Sequence, residues 1–151
     1  MIQYYTDGSC KGNGQEENIG GNGYIELNSN FEIAFFKTEV NQNTTNNREE
    51  LKGAINALKH IKENHKTKGI DIFTDSQYVV KGATIWSKTW KKNNWKRGKK
   101  SKEEVKNSDL WKELVSLYEE VQPNLQWVRG HNGNKWNETI DRLINEDISF
   151  G

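Results

Sequence analysis

Short runs of apolar and aromatic residues predict five strands along the chain. Residues 2–7 form the first run, and residues 23–40 carry β-branched and aromatic side chains on both sides of a polar turn at 28–30, which predicts a hairpin. The segments KGIDIFTD (68–75) and LQWVRG (125–130) predict two further short strands, the first of them buried.

Helical periodicity predicts the remaining elements. Apolar residues recur at helical spacing within residues 48–64, after a polar loop whose residues Thr45, Asn46 and Asn47 are candidate N-caps. Residues 76–92 are predicted as helical with a break near Gly82. The break divides that segment into two helices. A further helix is predicted from 109 to about 121 with Ser108 as its N-cap, and a last helix over 134–147.

The predicted order β-β-β-α-β-α-α-α-β-α indicates the α/β class, with a mixed sheet covered by helices. The strands around Tyr5, Phe73 and Val128 are separated by helices, so we expect them to be parallel neighbours. Their C-terminal ends would then share one edge of the sheet, which is where open α/β sheets place their sites.

Composition limits the class of protein. The chain has 151 residues, 11% of them aromatic and six of them Trp, which suits one folded domain better than a disordered segment. No apolar run approaches the roughly 20 residues of a membrane span. Met1 leads into a predicted strand without a cleavable leader, and the single Cys10 excludes an internal disulfide. We therefore expect a cytoplasmic protein that does not bind membranes.

The net charge of +1 hides an uneven distribution. Residues 76–102 hold nine of the 22 Lys and Arg residues and no acid, which leaves 13 basic against 21 acidic residues elsewhere. A solvated lysine-rich surface would explain such a run. Because Trp86, Trp90 and Trp95 are interleaved with the basic residues, a nucleic-acid surface is the second interpretation. The indoles can equally form a small local core.

Four acids are predicted to face the same edge of the sheet. Asp7 and Asp75 each follow a Thr at the end of a predicted strand. In the first helix Glu50 lies at the margin of the apolar stripe, whereas Glu49 falls on the opposite side and is predicted to face water. In the last helix Asp141 lies at the margin of the buried side.

Oxygen ligands without His or Cys clusters favour Mg²⁺, with Mn²⁺ also possible. Two such ions about 4 Å apart form a known arrangement for in-line displacement at phosphorus, in which one activates water and the other stabilises the leaving oxygen. The alternative for any single acid is a cap or a surface charge.

Four motifs resemble, in order and spacing, those of the bacterial-type (type 1) ribonuclease H family: YTDGSC, TTNNREEL, TDSQYV and WVRGHNGNKWNETIDRL. The basic stretch at about 82–102 is similar to that family's basic handle, and we call it the handle below. The resemblance spans residues 1–151 and implies a single catalytic domain with a five-stranded mixed sheet and helices on both faces. It also implies a monomeric endonuclease that cleaves the RNA strand of RNA–DNA hybrids and leaves 3′-hydroxyl and 5′-phosphate ends.

The resemblance also implies roles for individual residues. The metal-binding carboxylates of the family fall on Asp7, Glu50, Asp75 and Asp141, the four acids that the periodicity places together. The loop histidine of the family falls on His131, which implies help with proton transfer or product departure; its imidazole would titrate near neutrality. The remaining histidines match no motif and are expected on or just after the surface of the first helix: His60 and His65.

Substrate contacts are implied at five further positions. Asn13, Asn46 and Gln77 match polar positions that contact the hybrid in its minor groove. Thr45 matches a position near a phosphate of the DNA strand, and Trp86 one that packs against a deoxyribose. Helix capping is the alternative for Thr45 and for the two asparagines.

Two other functions remain open at this stage: a non-catalytic hybrid-binding module, and another enzyme of the same fold such as a resolvase or an integrase-type strand transferase. The four carboxylates argue against the first, and the handle with TDSQYV argues against the second. The loop at 15–20 lacks the prolines usual in the family, and residues 134–136 also depart from many relatives.

Overall fold

The computed structural model describes residues 1–130 and 133–150 and contains one five-stranded sheet in the order β3-β2-β1-β4-β5. The first three strands are antiparallel neighbours, and β1, β4 and β5 run parallel. The strands have these bounds: β1 Gln3–Lys11, β2 Ile19–Leu27, β3 Ile33–Gln42, β4 Asp71–Thr74 and β5 Asn124–Trp127. This confirms the predicted mixed sheet and its three parallel strands.

Helices cover the sheet on both faces. They have these bounds: α1 Asn46–Asn64, α2 Gln77–Lys81, α3 Ser87–Lys92, α4 Ser108–Val121 and α5 Lys135–Phe150. One hydrophobic core joins the α1 side of the sheet to α4, and a second joins the other side to α5. Tyr4 belongs to the first core and Tyr5 to the second, as the alternation of a strand requires. None of the helices in the two described ranges is long and apolar enough to cross a membrane.

The first strand is longer than the sequence predicts. β4 pairs with β1 only as far as Thr74 opposite Thr6, but β2 continues to pair with β1 until Ile19 lies opposite Lys11. Asp7 therefore lies within β1 and not at its end, which corrects the prediction. Because the parallel pairing stops at Thr6, one side of Asp7 is left open.

The helical segment before the handle contains a π-helical turn, Gly82–Trp86, between α2 and α3. Its first residue packs directly on the fully buried Trp111, since a Cβ added to Gly82 would lie 1.9 Å from Cη2 of that indole. The predicted break near Gly82 is therefore a change of helical type, not an interruption. The stretch from Gln77 to Lys92 stays helical throughout.

Beyond α3 the handle folds back on itself. The Trp95 carbonyl accepts a hydrogen bond from the Val105 amide, and Lys96 pairs with Glu104 in an isolated bridge. Trp90 and Trp95 pack against the core beside Trp111, so the local-core interpretation holds for these two. Three handle cations are paired with acids in the described part of the chain: Lys91 with Glu119, Lys96 with Glu104, and Arg97 with Glu103.

Two smaller predictions are wrong. The N-cap of α4 is Asn107, in a left-handed conformation at φ 61°, because its side chain is bonded to Arg48 and Tyr78 and fixes the chain there. His60 lies in α1 and His65 is its C-cap, and neither lies on the open surface as predicted. His60 and His65 have side chains 15% and 17% exposed, each with a ring nitrogen 3.4 Å from Oε1 of Glu26 at the end of the sheet remote from Asp7.

Candidate active site

Three carboxylates meet where β1 and β4 part. Each of Asp7, Glu50 and Asp75 offers one oxygen, and these oxygens lie within 4.8 Å of one another. Thr6 and Thr74 are partners across the parallel ladder, so the residues that follow them occupy equivalent places on adjacent strands. The repeated Thr-Asp pair therefore places Asp7 and Asp75 side by side at this edge of the sheet. The third acid, Glu50, comes from the start of α1.

Close backbone packing sets the position of Glu50. Gly8 follows Asp7 directly, and a Cβ on Gly8 would lie 2.3 Å from the Glu49 carbonyl carbon and 2.4 Å from the Glu50 amide nitrogen. A Cβ on Gly53 would in turn lie 2.8 Å from the Asp7 carbonyl oxygen. Only glycine allows strand and helix to approach this closely, so these two glycines let the helical acid reach the strand acid.

Strand β5 fixes Asp75 from the other side. The Trp127 indole Nε1 donates a 3.1 Å hydrogen bond to the Asp75 main-chain carbonyl. A Cβ on Gly130 would lie 2.7 Å from Oδ2 of Asp75, so the chain after β5 passes directly over this carboxylate. Asp75 is therefore held between its own strand and the segment that follows the neighbouring one.

The electrostatics of the cluster favour a bound cation. The pKa of Asp7 is raised well above its usual range, mainly by burial and secondly by the charge of Asp75. Burial, followed by the charges of Asp7 and Asp75, raises the pKa of Glu50 in the same way. Within the part of the chain that the structure describes, the buried Oε1 of Glu50 has no hydrogen-bond donor. A buried acceptor without a donor, between two other carboxylates, fits a hard divalent cation such as Mg²⁺ or Mn²⁺.

The structure places Asp141 near this cluster but outside the group of three. It lies on α5 and is half-buried, and its charge is the weakest of the effects that act on the pKa of Asp7. Asp7 lies on the same side of β1 as Tyr5, the side that α5 covers, which explains the proximity. His131 lies outside the described residues.

Glu49 contradicts the prediction that it faces water. Its side chain is fully buried and accepts hydrogen bonds from Asn22 (3.1 Å), Asn41 (3.0 Å) and Thr44 (2.8 Å). Helical periodicity placed Glu49 opposite the apolar stripe. However, α1 lies in a corner formed by the sheet and the end of β3, so a polar flank of the helix is covered too.

The polar residues at the start of α1 form an interlocked group. Thr45 caps the helix, since its hydroxyl accepts a 3.1 Å hydrogen bond from the Arg48 backbone amide. Oδ1 of Asn46 accepts a 2.6 Å hydrogen bond from the Cys10 backbone amide. The backbone amide of Asn46 donates a 3.0 Å hydrogen bond to Oδ1 of Asn13. Capping therefore holds for Thr45, and the asparagines tie the loop after β1 to the helix. The group borders an open groove of about 330 Å³, also lined by Lys106 and Asn107.

The two remaining substrate candidates lie on the helical segment that follows Asp75. Gln77 is the first residue of α2, two positions after Asp75, and its side chain is exposed. Trp86 ends the π-helical turn with 37% of its surface exposed, and its ring contacts Tyr78 and Trp90. Trp86 thus belongs partly to the local core and partly to the surface, as both interpretations allow.

Sequence reasoning missed four contributors to the site: Gly8, Gly53, Gly130 and Trp127. Gly8 and Gly130 follow an acid or a strand end like many loop glycines, and no periodicity distinguishes them. Their role depends on packing distances between segments far apart in the chain. Trp127 gave no sequence signal either, because the predicted strand 125–130 continues beyond it and its partner, the Asp75 carbonyl, lies far away in the chain.

Comparisons with known proteins agree with this geometry. The family model described as RNase H matches residues 1–149. A protein called Ribonuclease H from Treponema denticola is 43% identical over 157 residues, which cover 96% of this chain and 95% of the relative. Another of that name from Polynucleobacter asymbioticus is 43% identical over 147 residues, which cover 97% and 89%.

Solved structures share the fold. LC9-RNase H1, described as a type 1 RNase H with the type 2 active-site motif, superposes with a TM-score of 0.79 at 31% identity, over 99% of this chain and 72% of that one. LC11-RNase H1, solved in complex with an RNA/DNA hybrid, superposes with a TM-score of 0.70 at 21% identity, over 99% of this chain and 98% of that one. With three carboxylates gathered at the opening of its sheet and a family match over almost its whole length, this chain belongs to the ribonuclease H family.

Proposed function

We propose that this chain is an endonuclease that hydrolyses the RNA strand of RNA–DNA hybrids and leaves 3′-hydroxyl and 5′-phosphate ends. The observation that carries the proposal is the cluster of Asp7, Glu50 and Asp75 at the opening of the sheet. Support comes from the relatives called Ribonuclease H and from the similar structure that holds an RNA/DNA hybrid. The whole chain, residues 1–151, would act as one catalytic domain with the handle at about 82–102.

The carboxylates of Asp7, Glu50, Asp75 and Asp141 would hold two divalent cations, Mg²⁺ or Mn²⁺. When bound, these ions would supply an activated water and charge stabilisation at the leaving oxygen of the phosphodiester. The chain itself holds the three clustered acids close together by packing Gly8 on α1 and by bonding Trp127 to the Asp75 carbonyl. His131 would move a proton or help the product to leave.

The surface around the cluster suits a hybrid. The groove beside Asn13, Thr45 and Asn46 offers amide and hydroxyl groups for the sugar edges and phosphates of a minor groove. Gln77 would extend this contact from α2. The exposed face of Trp86 would pack against a deoxyribose, where a 2′-hydroxyl would be in the way, and the handle would neutralise phosphates.

The decisive experiment compares end-labelled RNA–DNA hybrid, duplex DNA and duplex RNA in Mg²⁺, in Mn²⁺ and in EDTA. We expect cuts only in the RNA strand of the hybrid, only with metal, and with 3′-hydroxyl and 5′-phosphate ends. Cleavage of duplex DNA would instead favour a resolvase-like or integrase-like enzyme. Hybrid binding without cleavage in either metal would favour a binding module.

A matched pair of variants tests the site. Asp75→Asn should abolish cleavage and leave hybrid binding intact, because it removes one charge from the cluster. Asp71→Asn is the control: it is the same change at the start of β4, the strand that Asp75 follows, and Asp71 there accepts hydrogen bonds from Asn124 and Gln126. If the control loses as much activity as Asp75→Asn, the assignment of the site is wrong.

Two further properties are proposed with the activity. We expect a monomer, which sedimentation at several protein concentrations checks. We also expect the cytoplasm as its compartment, in keeping with the lone Cys10, and fractionation of expressing cells checks this.

A further inference from the structure

The buried carboxylate of Glu49 links three parts of the chain that surround the start of α1. It accepts hydrogen bonds from Asn22 on β2, from Asn41 on β3 and from Thr44 in the loop before the helix. Lys52, one turn further along α1, has its Nζ 3.7 Å from Oε2. A Cβ on Gly20 would lie 2.9 Å from Cγ of Glu49, so β2 leaves room for this side chain. The first turn of α1 is thereby fastened to the antiparallel half of the sheet.

The next residue in the chain, Glu50, has no comparable support of its own. Its buried Oε1 has no donor among residues 1–130 and 133–150, and its carboxylate lies within 4.8 Å of two other acids, whose charges repel it. Its position must therefore come from the backbone that carries it. That backbone is held at Glu49, whose carbonyl carbon would lie 2.3 Å from a Cβ on Gly8.

We propose that Glu49 is a positioning residue for Glu50: its three hydrogen bonds hold the first turn of α1 against β1 so that the Glu50 carboxylate stays beside Asp7 and Asp75. The inference rests on the proposed function in that it assigns metal binding to these three acids. The role of Glu49 is exerted through hydrogen bonds and not through contact with metal or substrate.

Two substitutions of similar size separate hydrogen bonding from filling of space. Glu49→Gln keeps an oxygen for both asparagine amides, and its new amide group can donate to the Thr44 hydroxyl. Glu49→Met fills similar space but removes the acceptor of the Asn41 amide and of the Thr44 hydroxyl, and it leaves the Asn22 amide bonded to Glu39 alone. Ile61→Val is the stability control, since it removes one buried methylene group about three turns further along the same helix.

The first readout is the Mn²⁺ affinity of the metal-free protein. It is measured by calorimetric titration without nucleic acid. We expect Glu49→Met to bind about tenfold more weakly, a usual effect of residues that support metal ligands. Glu49→Gln and Ile61→Val should bind like the unchanged protein. The second readout is hydrogen exchange of residues 46–52, which should become faster only in Glu49→Met.

Three results would overturn the positioning role: unchanged Mn²⁺ affinity in Glu49→Met, an equal loss in Glu49→Gln, or an equal loss in Ile61→Val. The predicted order of the variants supports it. If the unchanged protein binds Mn²⁺ and the variants follow that order, yet no hybrid is cut, the proposed function fails while the positioning role stands.

Discussion

The indole nitrogen of Trp127 donates a 3.1 Å hydrogen bond to the main-chain carbonyl of Asp75, although 44% of the Trp127 surface is exposed. An edge strand therefore fixes the segment that carries one of the three clustered acids. This bond is made to the backbone, so it restrains Asp75 without occupying its carboxylate oxygens.

Replacing Trp127 by Phe tests this restraint. The hydrogen bond that it removes contributes about 0.5–1.5 kcal/mol, so we expect kcat for hybrid cleavage to fall about two- to tenfold with little change in KM. Steady-state kinetics check this. Trp111→Phe is the matched control, because it removes the indole bond to the Tyr78 hydroxyl away from the acids. The control should lower Tm but leave kcat close to that of the unchanged protein. Equal kcat values for Trp127→Phe and the unchanged protein would contradict the restraint.

Replacing Gly8 by Ala should damage both stability and activity. The added Cβ would meet backbone of Glu49 and Glu50, which cannot move as a side-chain tip can. Overpacking of this kind costs about 1–3 kcal/mol, and the shift of α1 should carry Glu50 away from its partners. Thermal unfolding and Mn²⁺ affinity measure the two effects. Gly98→Ala, where a Cβ meets nothing within 4 Å, should leave both unchanged.

The crowded acids predict that the metal-free protein is more stable in mild acid. The pKa values of Asp7 and Glu50 are raised in the folded chain, so the folded state keeps protons that the unfolded state releases. Stability from these groups is complete below their ordinary values of 3.8 and 4.5 and falls as the pH rises above them.

Glu50→Gln isolates this effect. In EDTA at neutral pH the variant should unfold a few degrees above the unchanged protein, and the difference should shrink as the pH falls toward the ordinary carboxyl range. With Mg²⁺ the order should reverse, because only the unchanged site gains the ion. Glu113→Gln, which neutralises an exposed acid paired with Lys59, is the control and should not unfold above the unchanged protein in EDTA. A Glu50→Gln protein that is no more stable in EDTA would contradict the crowding.

The handle predicts a strong dependence of hybrid affinity on salt. Lys99 and Lys100 have no ion-pair partner in the described part of the chain, so they are free to neutralise phosphates. Removing one lysine that neutralises a phosphate should lower the slope of log affinity against log salt by about 0.9. We expect this for Lys99→Ala and Lys100→Ala, but not for Lys59→Ala in α1. Fluorescence anisotropy with labelled hybrid measures it, and an affinity that barely changes between low and moderate salt would contradict the prediction.

The sequence predicts most of the fold because its signals are local. Periodicity is enough to find α1, and the separation of β1, β4 and β5 by helices is enough to make them parallel. The full length of β1 escapes prediction because residues 8–11 have no strand character of their own. They are extended because β2 pairs with them as far as Ile19.

The site is predictable where chemistry alone decides it. Asp7 and Asp75 are found from charge and strand position and Glu50 from helical periodicity, and the structure brings the three together. Glu49 is misplaced because a helical projection assumes one buried side, whereas α1 is covered on two. The asparagines that bond Glu49 come from other strands, so no pattern within α1 indicates them.

The π-helical turn at Gly82–Trp86 also has a consequence for chain length. A π-turn accommodates one residue more than an α-turn, and one residue corresponds to about 100° of rotation around the axis. Deleting a single residue there would restore regular α-helix but rotate α3 and its aromatic side chains by that angle. Where the deleted residue is not Trp86, every Lys and Trp of the handle would be retained, yet α3 would present a different side. Homologous chains that differ in length at this turn would therefore present their handles in different orientations, even with identical composition.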